Sequence, residues 1–328
     1  MKIEDTSKVQ FLTISDDRIN QRLDNLLIGL IKGLPKTRIY RLLRKGEIRI
    51  NKKRVKPDYK IQPGDILRLP PIRLDERQPQ SVNTDQQSIR LLKRCIIKEK
   101  KNWLVLNKPT GFAVHGGSGL NYGIVEALRA LFPEWPFLEL VHRLDRETSG
   151  VLLLAKRRSC LRFMHQQLRE RKMHKKYLCV VHGKWPEKLS EIDAALEKVE
   201  GRGGERIMQV SETGKPSLTR FRVLARSQNS TLLEVEPVTG RTHQIRIHCA
   251  SAGFPILGDS KYLMDKNLIT KDSKYGVNRL MLHAKSLSFS VDEESPQIQV
   301  NAPIDNSFAQ VLQQLEFPQT IIERCEQR

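Results

Sequence analysis

Two short stretches concentrate the residues able to do chemistry in this 328-residue chain. The first is Val141-His142-Arg143-Leu144-Asp145-Arg146-Glu147-Thr148-Ser149-Gly150, just ahead of the apolar run Val151-Leu152-Leu153-Leu154-Ala155. A carboxylate flanked by Arg143 and Arg146 has its charged form favoured. Thr148 and Ser149 offer hydroxyls, and Gly150 permits a tight turn. Such a loop suits an anionic catalyst, and taken alone it suits a surface ion-pair loop equally well. The second stretch is Thr239-Gly240-Arg241-Thr242-His243-Gln244-Ile245-Arg246-Ile247-His248. Here a turn feeds a helix over 242–252, stopped by Gly253. Thr242 and Arg246 share one face, while Ile245 and Cys249 share the neighbouring buried one. An arginine turned towards a core is costly unless a carboxylate meets it, and Asp145 is the natural partner. His243 and His248 are five apart, with no nearby Glu or Cys to complete a ligand set, so no metal is expected. Cys95, Cys160, Cys179, Cys249 and Cys325 form no CxxC pair, which points to reduced thiols rather than disulfides or zinc.

The surrounding chain must position these loops. Leu104-Val105-Leu106, ending at Lys108-Pro109, is a buried strand, and 122–131 reads as a helix. Val151 to Ala155 is a strand, and Leu161, Met164 and Leu168 mark a helix. Tyr177 to Val181, Leu218 to Ala225 and Thr231 to Val235 are further strands. Short turns between strands suit antiparallel pairing, so a mixed α+β domain with a largely antiparallel sheet is expected. The polar, Lys-rich stretch Tyr262 to Val277 reads as a loop.

Upstream lies a smaller α+β module. Ile19, Leu23, Leu26, Leu27 and Leu30 recur at helical spacing, and Gly33 closes that element. Pro35 suits the first turn of a second helix. Ile39, Leu42 and Leu43 give that helix its apolar face, and Gly46 stops it. Its other face carries Lys36, Arg38, Arg41, Arg44 and Lys45. Residues 47–55 then read as strand, polar turn and strand, with Lys52, Lys53 and Arg54 adding charge. A turn at Pro63-Gly64-Asp65 leads to a last strand. The clustering of these bases suits RNA, although a solvated helix face would look similar. Residues 71 to about 89 are polar and aperiodic, the mark of a linker.

Composition bounds the partner. Lys plus Arg number 57 against 37 Asp plus Glu, a formal net charge of +20. So basic a protein usually meets a polyanion, nucleic acid before an anionic membrane. No apolar segment suits a signal peptide or a membrane span, so a cytoplasmic protein without a membrane partner is expected. No GxxxxGK[ST] loop appears, and Gly201-Arg202-Gly203-Gly204 is too weak a glycine cluster to stand for one.

The small module resembles the S4 RNA-binding domain through Arg22-Leu23-Asp24, Arg38, Leu42-Leu43-Arg44-Lys45-Gly46, Ile50-Asn51 and Pro63-Gly64-Asp65. Residues 142–150 resemble the signature of the RluA-type pseudouridine synthases, and residues 241–248 that family's later motif. Lys175-Lys176-Tyr177 is similar to the segment that supplies its active-site tyrosine. Leu106-Asn107-Lys108-Pro109 and Val114-His115-Gly116 match its N-terminal signature, and Pro255-Ile256-Leu257-Gly258-Asp259 and His283-Ala284 fit as well. The likeness runs from about residue 18 to 315. It implies an S4-like domain over 18–80 and a catalytic domain over 90–320. It also implies isomerisation of specific uridines in large-subunit (23S) ribosomal RNA by a monomer, with no cofactor. Asp145 would be the catalytic carboxylate, and Arg246 would pair with it and keep it ionised. Tyr177 would stack on the target base, and Arg143 would help evict the nucleotide. Arg241 and His243 are expected to contact RNA. Glu147 stands where relatives often carry Asp, outside those roles.

The chemistry agrees with these roles. Pseudouridine forms when the N1–C1′ bond breaks, the base turns and C5 bonds to C1′. Neither energy input nor redox change is needed. A carboxylate could attack C1′, add to C6 or remove the C2′ proton, and all three routes are open at this stage. The uridine must first be flipped out, and an aromatic face can then hold the base for ~1–3 kcal/mol. A silent S4-type rRNA-binding scaffold would have lost Asp145, Tyr177 or Arg246, and all three are present. A base glycosylase would need a route for water and would release free base.

Overall fold

The computed structural model describes residues 8–15, 18–31, 34–72, 91–114, 123–135, 137–200, 206–263 and 265–327. Several expectations fall elsewhere. The stop at Gly33, the linker beyond residue 72, His115-Gly116, the helix start at residue 122 and Gly201–Gly204 all lie outside the described residues. The chain divides into two compact units, residues 1–83 and 84–328.

In the first unit, β1 (Gln10–Thr13), α1 (Leu23–Leu30), α2 (Lys36–Lys45), β2 (Arg49–Ile50) and β3 (Ile66–Leu69) follow in order. The strands form an antiparallel sheet in the order β1-β3-β2. Helix α1 begins four residues later than the apolar spacing suggests, because Leu23 and Asp24 give their amide protons to Tyr59 O and Pro57 O. Pro35 caps α2, and Gly46 ends it in the left-handed region at φ 71°, where a glycine carries no steric penalty. Leu23, Leu26, Leu27, Ile39, Ile48, Ile61 and Leu67 pack as one core. The expected second strand at 53–55 is reduced to one bridge. Asn51 and Lys52 both have positive φ, and Ile50 and Lys53 exchange amide–carbonyl bonds of 3.1 and 2.8 Å. That is the tight two-residue turn of a hairpin. Asn51 then spends its side chain on Asp65 Oδ1, at 2.7 Å, and on Ile66 N, at 2.9 Å.

The second unit starts with β4 (Ile96–Glu99), β5 (Trp103–Lys108), α3 (Ile124–Leu131), β6 (Glu139–Leu140), β7 (Ser149–Ala155), α4 (Arg158–Arg169) and β8 (His174–His182). It continues with β9 (Glu191–Asp193), β10 (Leu196–Glu200), β11 (Arg206–Val210), β12 (Leu218–Arg226), β13 (Ser230–Pro237) and α5 (Gln244–Ser251). It closes with α6 (Lys266–Lys274), β14 (Leu282–Phe289), β15 (Ile298–Asn301), α7 (Asn306–Gln314) and α8 (Gln319–Glu326).

Among the described residues the large sheet runs β4-β5-β7-β14-β8-β13-β12-β9, with β6 beside β7 and β15 beside β14. Every pairing in it is antiparallel except β7 with β14. The fold is therefore α+β with a mixed, largely antiparallel sheet. Strand β7 is buried along its whole length, and its two faces feed different layers, as strand periodicity requires. Leu152 and Leu154 pack with Leu104, Leu106 and α3. Val151 and Leu153 pack with Trp103, Val105 and Met164 of α4. A third core joins β8, β13 and β14 to α5, α7 and α8.

The stretch 262–277, read as a loop, contains α6, whose first turn is capped by Asp265 accepting from Asn267 N at 2.8 Å. Helix α5 begins at Gln244 rather than 242, since His243 sits at φ 54°. Among the described residues no helix is long and apolar enough to cross a membrane.

Candidate active site

The loop 142–148 joins β6 to β7, and its rear is fastened by backbone and buried side chains. The Leu153 amide donates to His142 Nε2 at 3.1 Å. Burial, helped by the charge of Lys175, lowers the His142 pKa to about 3, so this ring is neutral. Lys108 is fully buried, and its Nζ donates to Pro109 O, Phe112 O and Arg146 O at 2.9, 2.9 and 3.0 Å. Thr110 Oγ1 donates to Glu147 O at 2.7 Å, and Arg146 Nε returns a bond to Gly111 O at 3.0 Å. The Asn-Lys-Pro stretch is thus a staple behind the acidic loop. Gly150 is required where β7 meets β14, because a Cβ there would overlap the Ala284 backbone.

In front of the loop opens a cavity of about 530 Å³, within the usual range for small-molecule sites. Its walls come from residues 142–148, the end of α4, β8 and the segment 237–246. Asp145 is the one carboxylate among its described lining residues, and its side chain is 25% exposed. Tyr177 stands on β8, opposite Val235 and Ala284. Burial and then the charge of Asp145 push its phenol well above the ordinary range. Tyr177 is therefore a neutral aromatic surface near an acid. Arg143, Arg169, Arg171 and Arg241 line the same cavity and are exposed.

Arg246 is 3% exposed on α5, as the buried-arginine argument requires, but Asp145 is not its partner. Its Nε and Nη2 bind Asp259 Oδ2 and Oδ1 at 2.8 and 2.6 Å. Glu147 Oε2 follows at 3.4 Å, while Asp145 lies outside ion-pair distance. Burial opposes the Arg246 charge, and Asp259 first, then Asp145 and Glu147, more than offset it. Asp259 also accepts the amides of Lys261 and Tyr262, both at 3.0 Å. Asp259, only 1% exposed, presents both carboxylate oxygens to the planar guanidinium, the strong bidentate geometry.

The side chain that does approach Asp145 is His243, with Nε2 3.8 Å from Oδ2. Its Nδ1 lies 2.7 Å from the Tyr262 hydroxyl. If that hydroxyl donates to Nδ1, the ring proton sits on Nε2 and faces the carboxylate, the electrostatically favourable tautomer. Burial lowers the His243 pKa, and Asp145 works against that. His248 has a different setting, against Ala194 O at 3.0 Å and Ser217 Oγ at 3.4 Å. Among the described residues no group of three His, Cys, Asp or Glu is arranged to hold a metal.

The structure thus brings Asp145, Tyr177, Arg143, Arg241, His243 and the largely buried Arg246 to one cavity. Asp259, Glu147, Tyr262 and Lys108 escaped the sequence reading as site residues. Asp259 had a signal, since a buried arginine must find a carboxylate. Tyr262 had none, because its stretch shows no periodicity. In the first unit, Arg41, Arg44, Lys45, Lys52, Lys53 and Arg54 are exposed and Arg38 is half-buried.

An acid and an aromatic ring sharing a cation-rimmed cavity, joined to an S4-like unit, agree with what comparison shows: the chain belongs to the RNA pseudouridylate synthase family, whose members isomerise uridine. Residues 102–251 match the family model described as RNA pseudouridylate synthase, and residues 21–67 match the S4 domain. Similar proteins include the ribosomal large subunit pseudouridine synthase C of Haemophilus influenzae, 50% identical over 94% of this chain and 96% of that one. The protein of the same name from Escherichia coli K12 is 49% identical over 96% of this chain and 99% of its own length. Among solved structures, human RNA pseudouridylate synthase domain containing 4 has a TM-score of 0.58 at 26% identity, covering 70% of this chain and 96% of that one. Human RNA pseudouridylate synthase domain containing 1 gives 0.53 at 27%, covering 64% and 82%.

Proposed function

We propose that this chain converts specific uridines of large-subunit (23S) ribosomal RNA to pseudouridine. Asp145 is the catalytic carboxylate, and no cofactor takes part. The observation that carries this reading is that Asp145 is the sole acid among the cavity's described lining residues, which also include Tyr177. A flipped uridine would stack on the Tyr177 ring, bringing its glycosidic bond to Asp145. The base then detaches from C1′ through N1, turns, and reattaches through C5. The C5 proton leaves, N1 regains one, and no atom is gained or lost. Arg143, exposed at the cavity edge, would fill the gap left by the evicted nucleotide. Arg246, in the same cavity wall, would act through its carboxylate partners, its charge holding Glu147 and Asp259 in place. The choice of large-subunit RNA follows the relatives' names, and the exposed bases of the first unit suit shape-based contact with structured RNA.

The test is to map pseudouridines in large-subunit rRNA from cells with and without this gene, then restore wild type or Asp145→Asn. Wild type is expected to return specific pseudouridines, and the variant none, while its RNA affinity stays within about tenfold because dispersed phosphate contacts dominate binding. An identical map without the gene, or full restoration by Asp145→Asn, would defeat the reading.

A further inference from the structure

Among the described residues, Lys175 is the cation of the cavity wall that is sheltered from solvent and yet has no hydrogen-bond or ion-pair partner. Lys175 precedes Tyr177 by two positions on β8, so the two side chains leave the same face of the strand. His174 and Lys176 leave the opposite face, where they meet Glu236 at 3.4 Å and Glu234 at 3.2 Å. Nothing comparable meets Lys175, which is only partly exposed. Among the described residues, no hydrogen bond or ion pair satisfies its Nζ, whereas the other buried lysine of the site, Lys108, has three acceptors. The ammonium lies beside Gly240, where an added Cβ would stand 3.7 Å from Nζ. Burial, with no opposing charge, lowers the Lys175 pKa. A sheltered ammonium without an acceptor is costly unless an anion completes it.

The surroundings say which anion fits. Arg169, Arg171 and Arg241 share this cavity with Lys175. Asp145 influences Tyr177, His243 and Arg246, but only burial acts on Lys175. The cavity thus holds an acid, Asp145, on the 142–148 loop and a sheltered cation, Lys175, beside Gly240, with the Tyr177 ring lining the same space. A nucleotide is polarised in the same sense, with a neutral base and an anionic phosphodiester. We propose that Lys175 is a phosphate seat, binding a non-bridging oxygen of the phosphodiester that adjoins the flipped nucleotide while Tyr177 holds its base. This rests on the functional reading above and adds to it how the nucleotide is oriented. The spacing of about 6.6 Å between alternate residues on one strand face is a span that one nucleotide can bridge.

The test uses the full chain and an RNA stem-loop carrying a mapped target uridine. Lys175→Met should weaken binding roughly tenfold, the scale of one charged hydrogen bond, and lower the salt slope of log K by about one. The loss should fall on KM more than on kcat, and Lys175→Arg should recover most of it. A second arm changes the RNA instead of the protein. A neutral methylphosphonate is placed in turn at each linkage flanking the target, and one position should weaken wild type to the level of Lys175→Met while leaving that variant indifferent. Unchanged affinity and salt slope in Lys175→Met would overturn the proposal. So would a collapse of kcat at unchanged affinity, which would put the ammonium at the reacting base, and so would equal sensitivity of both proteins to every methylphosphonate. Affinity scores Lys175 whether or not the RNA turns over, while absence of pseudouridine with wild type counts only against the function proposed above.

Discussion

At the scale of single residues, the arrangement around Asp145 separates the cavity acid, for which the catalytic role is proposed, from the acids that hold the site together. Asp259 is 1% exposed and Arg246 3%, and their two short bonds fix both. Asp145 is left free of that clamp, with His243 as its nearest base at 3.8 Å. A carboxylate already gripped by a guanidinium would have to break two charged bonds before it could reach a ribose or a pyrimidine. Arg246→Met would strand Asp259 in the interior with, among the described residues, only the Lys261 and Tyr262 amides as donors. Removing one member of a buried pair costs ~3–5 kcal/mol, so urea unfolding of this variant should show a loss of that order. Arg246→Lys, which keeps the charge and forfeits the fork, should lose less. A stability within about 1 kcal/mol of wild type for Arg246→Met would mean the pair with Asp259 is not what holds α5 to the 257–262 turn.

At the scale of elements, the strands that carry the site are held by histidines that burial keeps uncharged. His142 fastens the acidic loop to β7 by accepting from Leu153 N, and His283 of β14 bonds Ser149 Oγ at 2.8 Å and Ala302 O at 3.1 Å. Burial lowers their pKa values to about 3 and about 4. In the unfolded chain each takes up a proton near the ordinary value of about 6.5. Between that value and the folded ones, the unfolded state binds protons that the folded state refuses, so stability falls as pH falls. The stabilisation is complete above about pH 6.5 and declines by ~1.4 kcal/mol per pH unit for each ring below it. Unfolding free energy should therefore drop by roughly 2 kcal/mol between about pH 7 and pH 5.5, and His283→Gln should flatten that slope. A flat profile in the wild type over this range would contradict the burial of both rings. The same elements show what sequence could and could not convey. Strand β7 was legible because seven consecutive residues are buried on both faces, which leaves an unbroken apolar run. The short hairpin β10–β11 was not, since its strands carry mostly polar, partly exposed residues, and strand β1 was not, since its pairing is decided by β3 more than fifty residues away. The site motifs were legible as segments, but the partner of Arg246 was not, because competition between Asp145, Glu147 and Asp259 is settled only by three-dimensional placement.

At the scale of the whole molecule, the excess of +20 is shared by two units with separate cores. Leu23, Ile39, Ile61 and their neighbours form a core drawn wholly from the first unit, so removing that unit leaves the cores around β7 and β8 intact. Its exposed Arg41, Arg44, Lys45, Lys52, Lys53 and Arg54 form no hydrogen bond or ion pair with a carboxylate among the described residues, apart from Lys45 with Glu47 at 4.0 Å. Each such cation that meets a phosphate releases counterions and steepens the salt dependence of binding by about 0.7–0.9. None of them is among the cavity's described lining residues, so the role proposed for them is attachment and not bond-making. Deletion of residues 1–80 should accordingly weaken binding to large-subunit rRNA strongly at about 150 mM salt and flatten the salt slope by several units. Single-turnover conversion of a uridine already bound, at saturating enzyme, should change far less. Filter binding across a salt series, run beside a single-turnover assay, measures both. Equal affinity and slope before and after truncation would show that these bases do not face RNA, and would leave the cavity-lining cations as the main source of attraction.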